Sequence, residues 1–546
     1  MKKLIFIFFV VLIVFFSVFT SYAQENPPQR IMRVSLNGLP GMDPSVGIDT
    51  STDITMVNIY ETLVFPGPDG TMHPRLAKDW EVDDDNLHYT FNLREDVKFH
   101  NGDELTAEDV VFSMKRWLAL GQGYSHSLID VVEDVVAIDK YEVKFTIKQP
   151  FGAFINSLAR FNVVNKKLVL ENIESGSYGD MGDYGTHWLT SNEVGSGPYM
   201  LKELVLQDHI FLVRFNDHWS GWEEDKEDLA PDAIKFIDTG AESAAIRVMM
   251  QNKELEIGDK LQSEENLEVL DKITGVEIAK FSVGEVWHLM LNSKKAPTDD
   301  VNFRKALSYL FDYDAIPEYV FKGSPKSKGP INMSTYGHNP NLYQYSLNHD
   351  KAIEYLQKSK YVDKLKQYPV EIMIASGRQS YEKVALSFQA EASKIGITVK
   401  ILKVPWLTLI DRVKTLEGTP NMVAAGTKPA INDAGSMLKR RYHSNAAGSF
   451  WSTEWLQNKD LDAMIDDSIA TQDEEERLNK YYKIQEVIVT EIVPTIFLID
   501  RNAKVPYNSD RIYWPLIEMI KQGQDVKMVG DGFYYYFKDF KLYPEK

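Results

Sequence analysis

The clearest pattern of hydrophobic and polar positions lies near the end of the first hundred residues. Apolar residues alternate with polar ones at Leu87, Tyr89, Phe91 and Leu93. Such alternation predicts a half-buried β-strand. Thr106 then stands three residues before Asp109, which is the spacing of a capping box at a helix start. The next apolar residues recur at helical spacing: Val110, Val111, Met114, Trp117 and Leu118. We therefore predict a strand, a turn and a capped helix with one buried face.

A second pattern predicts a strand, a helix and another strand. Val370, Ile372 and Ile374 alternate with other residues as in a strand. One helix face follows at Val384, Ala385, Phe388, Ala392 and Ile395. Gly396 stands where glycine commonly ends a helix, and Ile397 begins the next apolar alternation. Such a unit predicts two parallel strands joined by a right-handed crossover.

Other elements are predicted from shorter patterns. Residues 31–36, 141–147 and 287–292 read as strands, and residues 171–191 as a long surface loop. Near the C-terminus, Thr471 and Glu474 have capping-box spacing. A long amphipathic helix is predicted after them, ended by Pro494 and followed by a strand over 495–499.

The N-terminus has the features of a secretory signal peptide. Lys2 and Lys3 precede an unbroken apolar run over residues 4–16, and Ala23 closes a small-residue cleavage site. The run is short for a membrane span, so cleavage after residue 23 is predicted. The chain contains no cysteine, which excludes disulfides, thiolate metal sites and the cysteine that anchors bacterial lipoproteins. A free periplasmic protein is expected.

Length and charge narrow the function classes. At 546 residues the chain is too long for one ordinary core, so two or three domains are expected. A net charge of −19 argues against nucleic acid or an anionic membrane surface as a partner. Common hydrolase and metalloprotease motifs are missing. The acidic run at 83–85 lacks the spaced ligands of a calcium loop. No catalytic residue, metal site or cofactor is predicted.

Several of these segments resemble the family 5 solute-binding proteins of ABC importers, a group that includes dipeptide-, oligopeptide- and nickel-binding proteins. The family signature reads roughly LA-x-x-W, then L-x-Y-T-F-x-LR-x-x-V-x-FH-x-G, then TAEDVVFS. The chain carries it between Leu76 and Ser113. Residues 192–199 (NEVGSGPY) match the family's N-x-x-G-T-G-P-Y, with Ser196 where threonine is usual. Residues 287–292 and 301–312 match later family segments.

The resemblance implies an α/β fold of the bilobal periplasmic binding protein type, in its large class with an extra subdomain in the first lobe. The ligand cleft would lie between two hinged lobes. The expected divisions are 24–285 for the first lobe (with the subdomain at about 60–190), 286–499 for the second, and 500–546 returning to the first. The implied function is capture of a peptide or similar small organic solute for an inner-membrane ABC permease, by a monomer without catalysis.

One loop carries the expectation for the ligand site. In peptide-binding relatives, an aspartate in a W-x-x-D-x-x-D-P-x-x-x-L loop holds the ligand's ammonium. The matching loop here, residues 425–438, has Ala430 at that position and no tryptophan. A one-gap realignment would let Asp433 take the role, and Lys428 could meet a carboxylate or point to solvent. The candidate contacts are Trp287, Trp406, Thr427, Lys428, Asp433, Tyr442 and Trp451.

Three alternatives remain open at this point. The lost aspartate and the nearby tryptophans favour an oligosaccharide ligand, unless those tryptophans belong to the core. A periplasmic chaperone or sensor could use the same fold. A secreted hydrolase would need a nucleophile or carboxylate pair in the cleft, and no motif identifies one.

Overall fold

The computed structural model describes residues 30–222, 229–240 and 242–544. The predicted signal peptide, residues 1–23, lies outside the described residues. In chain order the strands are β1 (Ile31–Leu36), β2 (Val64–Pro66), β3 (Met72–Pro74), β4 (Ala77–Val82), β5 (His88–Leu93), β6 (Val132–Asp139), β7 (Glu142–Ile147), β8 (Tyr199–Val205), β9 (His209–Arg214), β10 (Ala233–Asp238), β11 (Val276–Leu291), β12 (Val370–Ala375), β13 (Val399–Val404), β14 (Met422–Thr427), β15 (Thr495–Asn508), β16 (Ile512–Tyr513) and β17 (Lys541–Leu542).

The α-helices are α1 (Thr50–Ile59), α2 (Ala107–Leu120), α3 (Phe154–Ser157), α4 (Lys166–Glu171), α5 (Ser243–Gln251), α6 (Glu264–Leu270), α7 (Val301–Ser308), α8 (His349–Gln357), α9 (Gln379–Lys394), α10 (Trp406–Arg412), α11 (Ala434–Tyr442), α12 (Lys459–Ala470), α13 (Glu474–Val487) and α14 (Pro515–Lys521). None of these described helices is long and apolar enough to cross a membrane.

The first lobe is built on a four-stranded sheet in the order β1-β10-β9-β8. β1 and β10 run parallel, from the pair Ile31 and Ala233 onward. The core beside this sheet joins Val34 and Phe236 with residues from the end of the chain, such as Trp514 and Phe537. The predicted strand over 31–36 is confirmed, and the C-terminal segment returns to this lobe.

A second four-stranded sheet, in the order β4-β5-β7-β6, carries the pattern that was clearest in the sequence. Tyr89, Phe91 and Leu93 of β5 are buried in its core, as their alternation predicts. The predicted capping box is also confirmed, because the Thr106 backbone amide and hydroxyl both donate to the Asp109 carboxylate at 2.9 Å.

The second lobe contains a five-stranded sheet in the order β13-β12-β14-β11-β15. β12 and β13 are parallel neighbours joined by α9, so the predicted strand, helix and strand unit is confirmed. Phe388 and Ala392 are buried on the inner face of α9. Gly396 follows this helix with a φ of +82°, a conformation that glycine adopts without strain.

Two long strands connect the lobes. β11 has 16 residues and β15 has 14, and they pair antiparallel from Val276 and Asn508 to Met290 and Thr495. Phe281 lies in the first-lobe core, whereas Leu289 lies in that of the second lobe. The register shifts between Ser282 and Glu285. This pair of strands therefore connects the two lobes where the resemblance places the hinge, while the exact lobe boundaries stay a prediction.

The capping box expected at Thr471 is wrong. α13 begins at Glu474 with Asp473 as its N-cap, whose carboxylate accepts the Glu476 amide at 2.8 Å. The Thr471 hydroxyl instead donates to the Asp467 carbonyl of the preceding helix. Aspartate is a stronger N-cap than threonine. The spacing from Thr471 to Glu474 therefore did not identify Asp473 as the residue that caps the helix.

The NEVGSGPY turn packs tightly against α1. The Gly197 amide donates to the Ile59 carbonyl at 2.8 Å, and a Cβ on Gly197 would lie 2.6 Å from the Ile59 carbonyl carbon. His100 spans the same turn, with its two ring nitrogens at 2.7 Å from the Glu193 carboxylate and 2.9 Å from the Gly197 carbonyl. The turn and His100 both have a structural role.

We predict that Gly197→Ala lowers the free energy of unfolding by about 1–3 kcal/mol, because the added methyl overpacks a backbone contact. Ser196→Ala is the matched control, since within the described chain the buried Ser196 hydroxyl has no hydrogen-bond partner. Urea titration monitored by tryptophan fluorescence measures both. Equal stability of the two variants would contradict the packing role of Gly197.

Asp500 places a buried carboxyl group on the hinge strand β15. The Met333 amide donates to its carboxylate at 2.9 Å, and the residue is 2% exposed. Burial raises the pKa of Asp500 to about 7. In the unfolded chain an aspartate has a pKa of about 3.9, so between these values the folded state binds the extra proton. Ionising Asp500 therefore costs stability as the pH rises toward 7.

Asp500→Asn should consequently raise the free energy of unfolding above pH 7 by roughly 2–4 kcal/mol. The gain should shrink as the pH falls and be nearly gone at pH 4, which is close to the pKa of about 3.9 that the carboxyl has in the unfolded state. Urea titrations at pH 4, 6 and 8 measure this dependence. A gain that is the same at all three values would contradict a titrating Asp500.

Candidate functional site

The loop that follows β14, residues 428–433, lies against the first lobe. Arg160 Nε donates to the Ala430 carbonyl at 2.9 Å, and the Asn156 side-chain amide donates to the Asn432 carbonyl at 3.1 Å. The carboxyl ends of parallel strands are where open α/β sheets place ligands. The loop therefore forms one wall of a cleft between the lobes, and these hydrogen bonds hold the cleft closed.

A buried carboxylate contacts two lysines, one from each lobe. Asp531, in the first lobe, accepts hydrogen bonds from Lys260 and from Lys428, the latter at 2.7 Å. Burial raises the pKa of Asp531, but the two ammonium groups oppose this and hold the pKa far below its usual range. For Lys428, burial lowers the pKa, but the nearby Asp531 and its acidic neighbours raise that pKa above the usual range of a lysine. Lys428 is thus a charged contact between lobes.

A second cluster lies on the first-lobe wall. The Tyr124 hydroxyl lies 3.2 Å from both carboxylate oxygens of Asp53. Arg160 lies 3.4 Å from the same carboxylate, with its guanidinium 4.5 Å from the centre of the Tyr124 ring. Burial raises the pKa of Asp53 although Arg160 opposes the shift. The aspartate is therefore already engaged within its own lobe.

The hinge side of the cleft contains a cavity of about 310 Å³. Residues 260–265 of the first lobe and residues 377–380 and 383 of the second lobe line it. Arg501 and Glu285 of the hinge strands line its back and lie 3.4 Å apart. This volume is at the lower end of the range for small-molecule sites, and the mixed charges suit a polar solute.

The structure places three of the sequence-predicted contacts in the interior. Trp287 is fully buried against Phe321 and Tyr381. Tyr442 is also fully buried, and its hydroxyl lies 3.3 Å from the Thr495 hydroxyl.

Asp433 caps α11, accepts a hydrogen bond from Tyr481 at 3.0 Å, and is 1% exposed. Its carboxylate is therefore satisfied inside the second lobe rather than presented to the cleft.

The other four differ in their surroundings. Thr427 ends β14 directly before Lys428, and within the described chain its hydroxyl has no hydrogen-bond partner. Trp406 is 49% exposed. Its ring lies 5.1 Å from that of Phe450, which lies 5.8 Å from Trp451. Ligand contact by any of these residues stays a prediction.

Sequence reasoning missed several residues that the fold brings to the cleft: Asp53, Tyr124, Arg160, Arg440 and Asp531. They come from separate parts of the chain, and no spacing links them. Arg440 belongs to the sequence Lys-Arg-Arg, which by itself indicates only a solvated basic turn. These residues come together only where the two lobes meet in the folded structure, which the sequence alone does not show.

We predict that Lys428→Met shifts the balance between open and closed lobes toward open by about 10- to 100-fold, since it removes one charged hydrogen bond. Lys260 still pairs with Asp531 in this variant, so folding should be retained. Small-angle X-ray scattering of the ligand-free protein should show a larger radius of gyration. Lys414→Met, which removes an exposed lysine paired with Asp411, is the control. Identical scattering from all three proteins would contradict the role of Lys428.

Comparison with known proteins adds two kinds of evidence. The model of the bacterial extracellular solute-binding proteins, family 5, matches residues 71–449. A probable D,D-dipeptide-binding periplasmic protein of Escherichia coli is 27% identical over 492 residues, with 88% of this chain and 90% of the relative covered. The dipeptide-binding protein of the same organism is 25% identical, with 87% and 88% covered.

Solved structures show the same fold. An ABC transporter substrate-binding protein from Listeria monocytogenes superposes with a TM-score of 0.81 at 23% identity, covering 94% of this chain and all of the other. A periplasmic binding protein from Helicobacter pylori, in complex with the peptide STSA, gives 0.73 at 22% identity, covering 94% and 98%. The expected bilobal α/β architecture is confirmed. The chain therefore belongs to the family 5 bacterial extracellular solute-binding proteins.

Proposed function

We propose that this protein captures a peptide, or a similarly small organic solute, between its two lobes and delivers it to an ABC permease in the inner membrane. The observation that carries the proposal is the likeness over nearly the whole chain to relatives whose names state dipeptide binding. The H. pylori neighbour holds a peptide, and a neighbour from Agrobacterium tumefaciens holds agropinic acid. We therefore include small organic acids in the proposed ligand class.

The cleft has the features that such a role requires. Its lobes meet through polar contacts and through a shared apolar core, beside a cavity of about 310 Å³. Hinge motion about β11 and β15 would open it to solvent and close it over a ligand. A buried ligand must have its charges paired and its polar groups hydrogen-bonded. Charged side chains from both lobes and from the hinge line the cavity and can supply those partners.

The proposed contacts with the ligand differ from those of the peptide-binding relatives at the position of the ammonium-binding aspartate. Ala430 stands where the resemblance places the ammonium-binding aspartate, and its carbonyl is taken by Arg160. The buried Asp433 does not face the cleft. We therefore propose that the loop of residues 428–433 closes the lobes rather than binding a free amino terminus.

The remaining parts of the proposal follow from the family. Its members are the binding components of transporters rather than enzymes, and we propose that this chain is likewise a monomer that leaves its ligand chemically unchanged. We further propose that it works in the periplasm after removal of residues 1–23. The relatives named above give no support to an oligosaccharide ligand. Nucleic acid remains an unfavourable partner at a net charge of −19.

Isothermal titration calorimetry with a set of dipeptides and tripeptides tests the proposal. At least one should bind with a Kd of about 1 μM or tighter, and mass spectrometry should recover it intact. Ser380→Trp, which fills the cavity from the first turn of α9, should weaken binding at least about tenfold. Ser387→Trp, on the exposed side of the same helix, should bind normally. Binding of none of these peptides, or their hydrolysis, would contradict the proposal.

A further inference from the structure

The last turn of α11 carries three consecutive basic residues with different surroundings. Lys439 is exposed and lies 3.5 Å from Asp466, and Arg441 is fully buried and lies 2.6 Å from Glu454. Arg440, between them, is half-buried. Among the residues that the structure describes, no carboxylate lies within 4 Å of its guanidinium and none accepts a hydrogen bond from it. A cation removed from water in this way favours an anion that the protein itself does not provide.

The position of the Arg440 guanidinium is set by an aromatic side chain. Its central carbon lies 3.7 Å from the centre of the Trp451 ring. A guanidinium stacked on a ring uses its face for that contact and keeps its N–H edges for hydrogen bonds. Those edges match the two oxygens of a carboxylate. Trp451 therefore holds the group ready for a planar anion.

Arg440 also acts across the cleft on the first lobe. Burial lowers the pKa of His126, and the positive charge of Arg440 lowers it further. Burial lowers the pKa of Arg440 itself to about 10, and its neighbour Tyr124 only partly opposes this. Tyr124 and His126 belong to the first lobe, so Arg440 acts electrostatically on groups of the other lobe. The Tyr124 hydroxyl is directed at Asp53, which Arg160 already pairs.

The charged side chains around the cleft also favour an anionic ligand. Lys260, Lys428, Arg160 and Arg440 supply four positive charges here. The carboxylates beside them are Asp53, Asp259 and Asp531. Among these seven side chains positive charge exceeds negative charge by one, although the chain as a whole carries −19. An anionic ligand would neutralise the excess when the lobes close.

We infer that Arg440 binds a carboxylate of the ligand and that the protein selects acids whose amino end need not be free. The adjoining rings of Trp451, Phe450 and Trp406 offer an apolar surface, so the carboxylate belongs to a molecule with a flat or apolar group beside it. Ala430 removes the usual demand for an ammonium group. This inference rests on the proposed function, whose ligand class it narrows.

The test compares different end groups on two scaffolds. The probes are Ala-Phe, its N-acetyl derivative, its C-terminal amide and the doubly blocked form, together with benzoylglycine and benzoylglycine amide. Calorimetry with the wild-type protein should show that the acids bind and that N-acetylation leaves affinity essentially unchanged. Converting the acid to the amide should weaken binding by about 10- to 100-fold, the loss expected for a charged hydrogen-bonded pair.

Variants of the full chain assign the effect to the residue. Arg440→Gln should weaken acid binding by about 10- to 100-fold and leave amide binding unchanged. Arg440→Lys should recover part of this loss, because lysine keeps the positive charge but lacks the planar guanidinium that donates two hydrogen bonds to one carboxylate. Lys439→Gln removes the neighbouring charge and should bind as wild type.

The outcomes separate the two proposals. Peptide binding that ignores the acid end, or that is unchanged in Arg440→Gln, would overturn this inference and leave the proposed function standing. Binding of benzoylglycine without any peptide would support Arg440 and contradict the peptide ligand. Binding of no probe would contradict both.

Discussion

The pairing of β11 with β15 is the constraint on which the rest of the structure depends. These strands are the backbone connection that runs through both lobes, and their hydrogen bonds continue from Val276 to Met290. A shift in register between Ser282 and Glu285 interrupts the ladder where the lobes meet. Gly284 lies in this interruption with a φ of +79°, which favours glycine. The lobes are thus tied together at the back and can move at the front.

At the front of the cleft, charged side chains join the two lobes. Asp531 in the first lobe is buried between Lys260 of its own lobe and Lys428 of the other. Removing one partner from such a pair leaves a buried charge without compensation. Closure is therefore coupled to the placement of Lys428, and hence to the loop that relatives use for ligand binding. We propose that in this chain the loop closes the lobes, while Arg440 of the following helix α11 binds the carboxylate of the ligand.

Most of the fold could be predicted from the sequence because local pattern and tertiary packing agree. The alternation in β5, the capping box at Thr106 and the unit around α9 all survive in the structure. Thr471 was misassigned because Thr471 and Asp473 are both residue types that cap helices. The prediction considered the spacing from Thr471 and not that from Asp473.

The site was less accessible to such reasoning. Asp433 matched a motif position, but the motif does not show that its carboxylate turns inward to cap α11. Asp531 lies far from that motif and Arg440 lies just beyond its end, and the surroundings of both depend on how the lobes meet.

Native mass spectrometry of the protein isolated from its own cell envelope tests the central claim most directly. The account predicts a bound small organic acid, of the size of a short peptide, that is released intact when the protein unfolds. A mass made of neutral hexose or pentose units, or a polypeptide too large for the cleft, would contradict it.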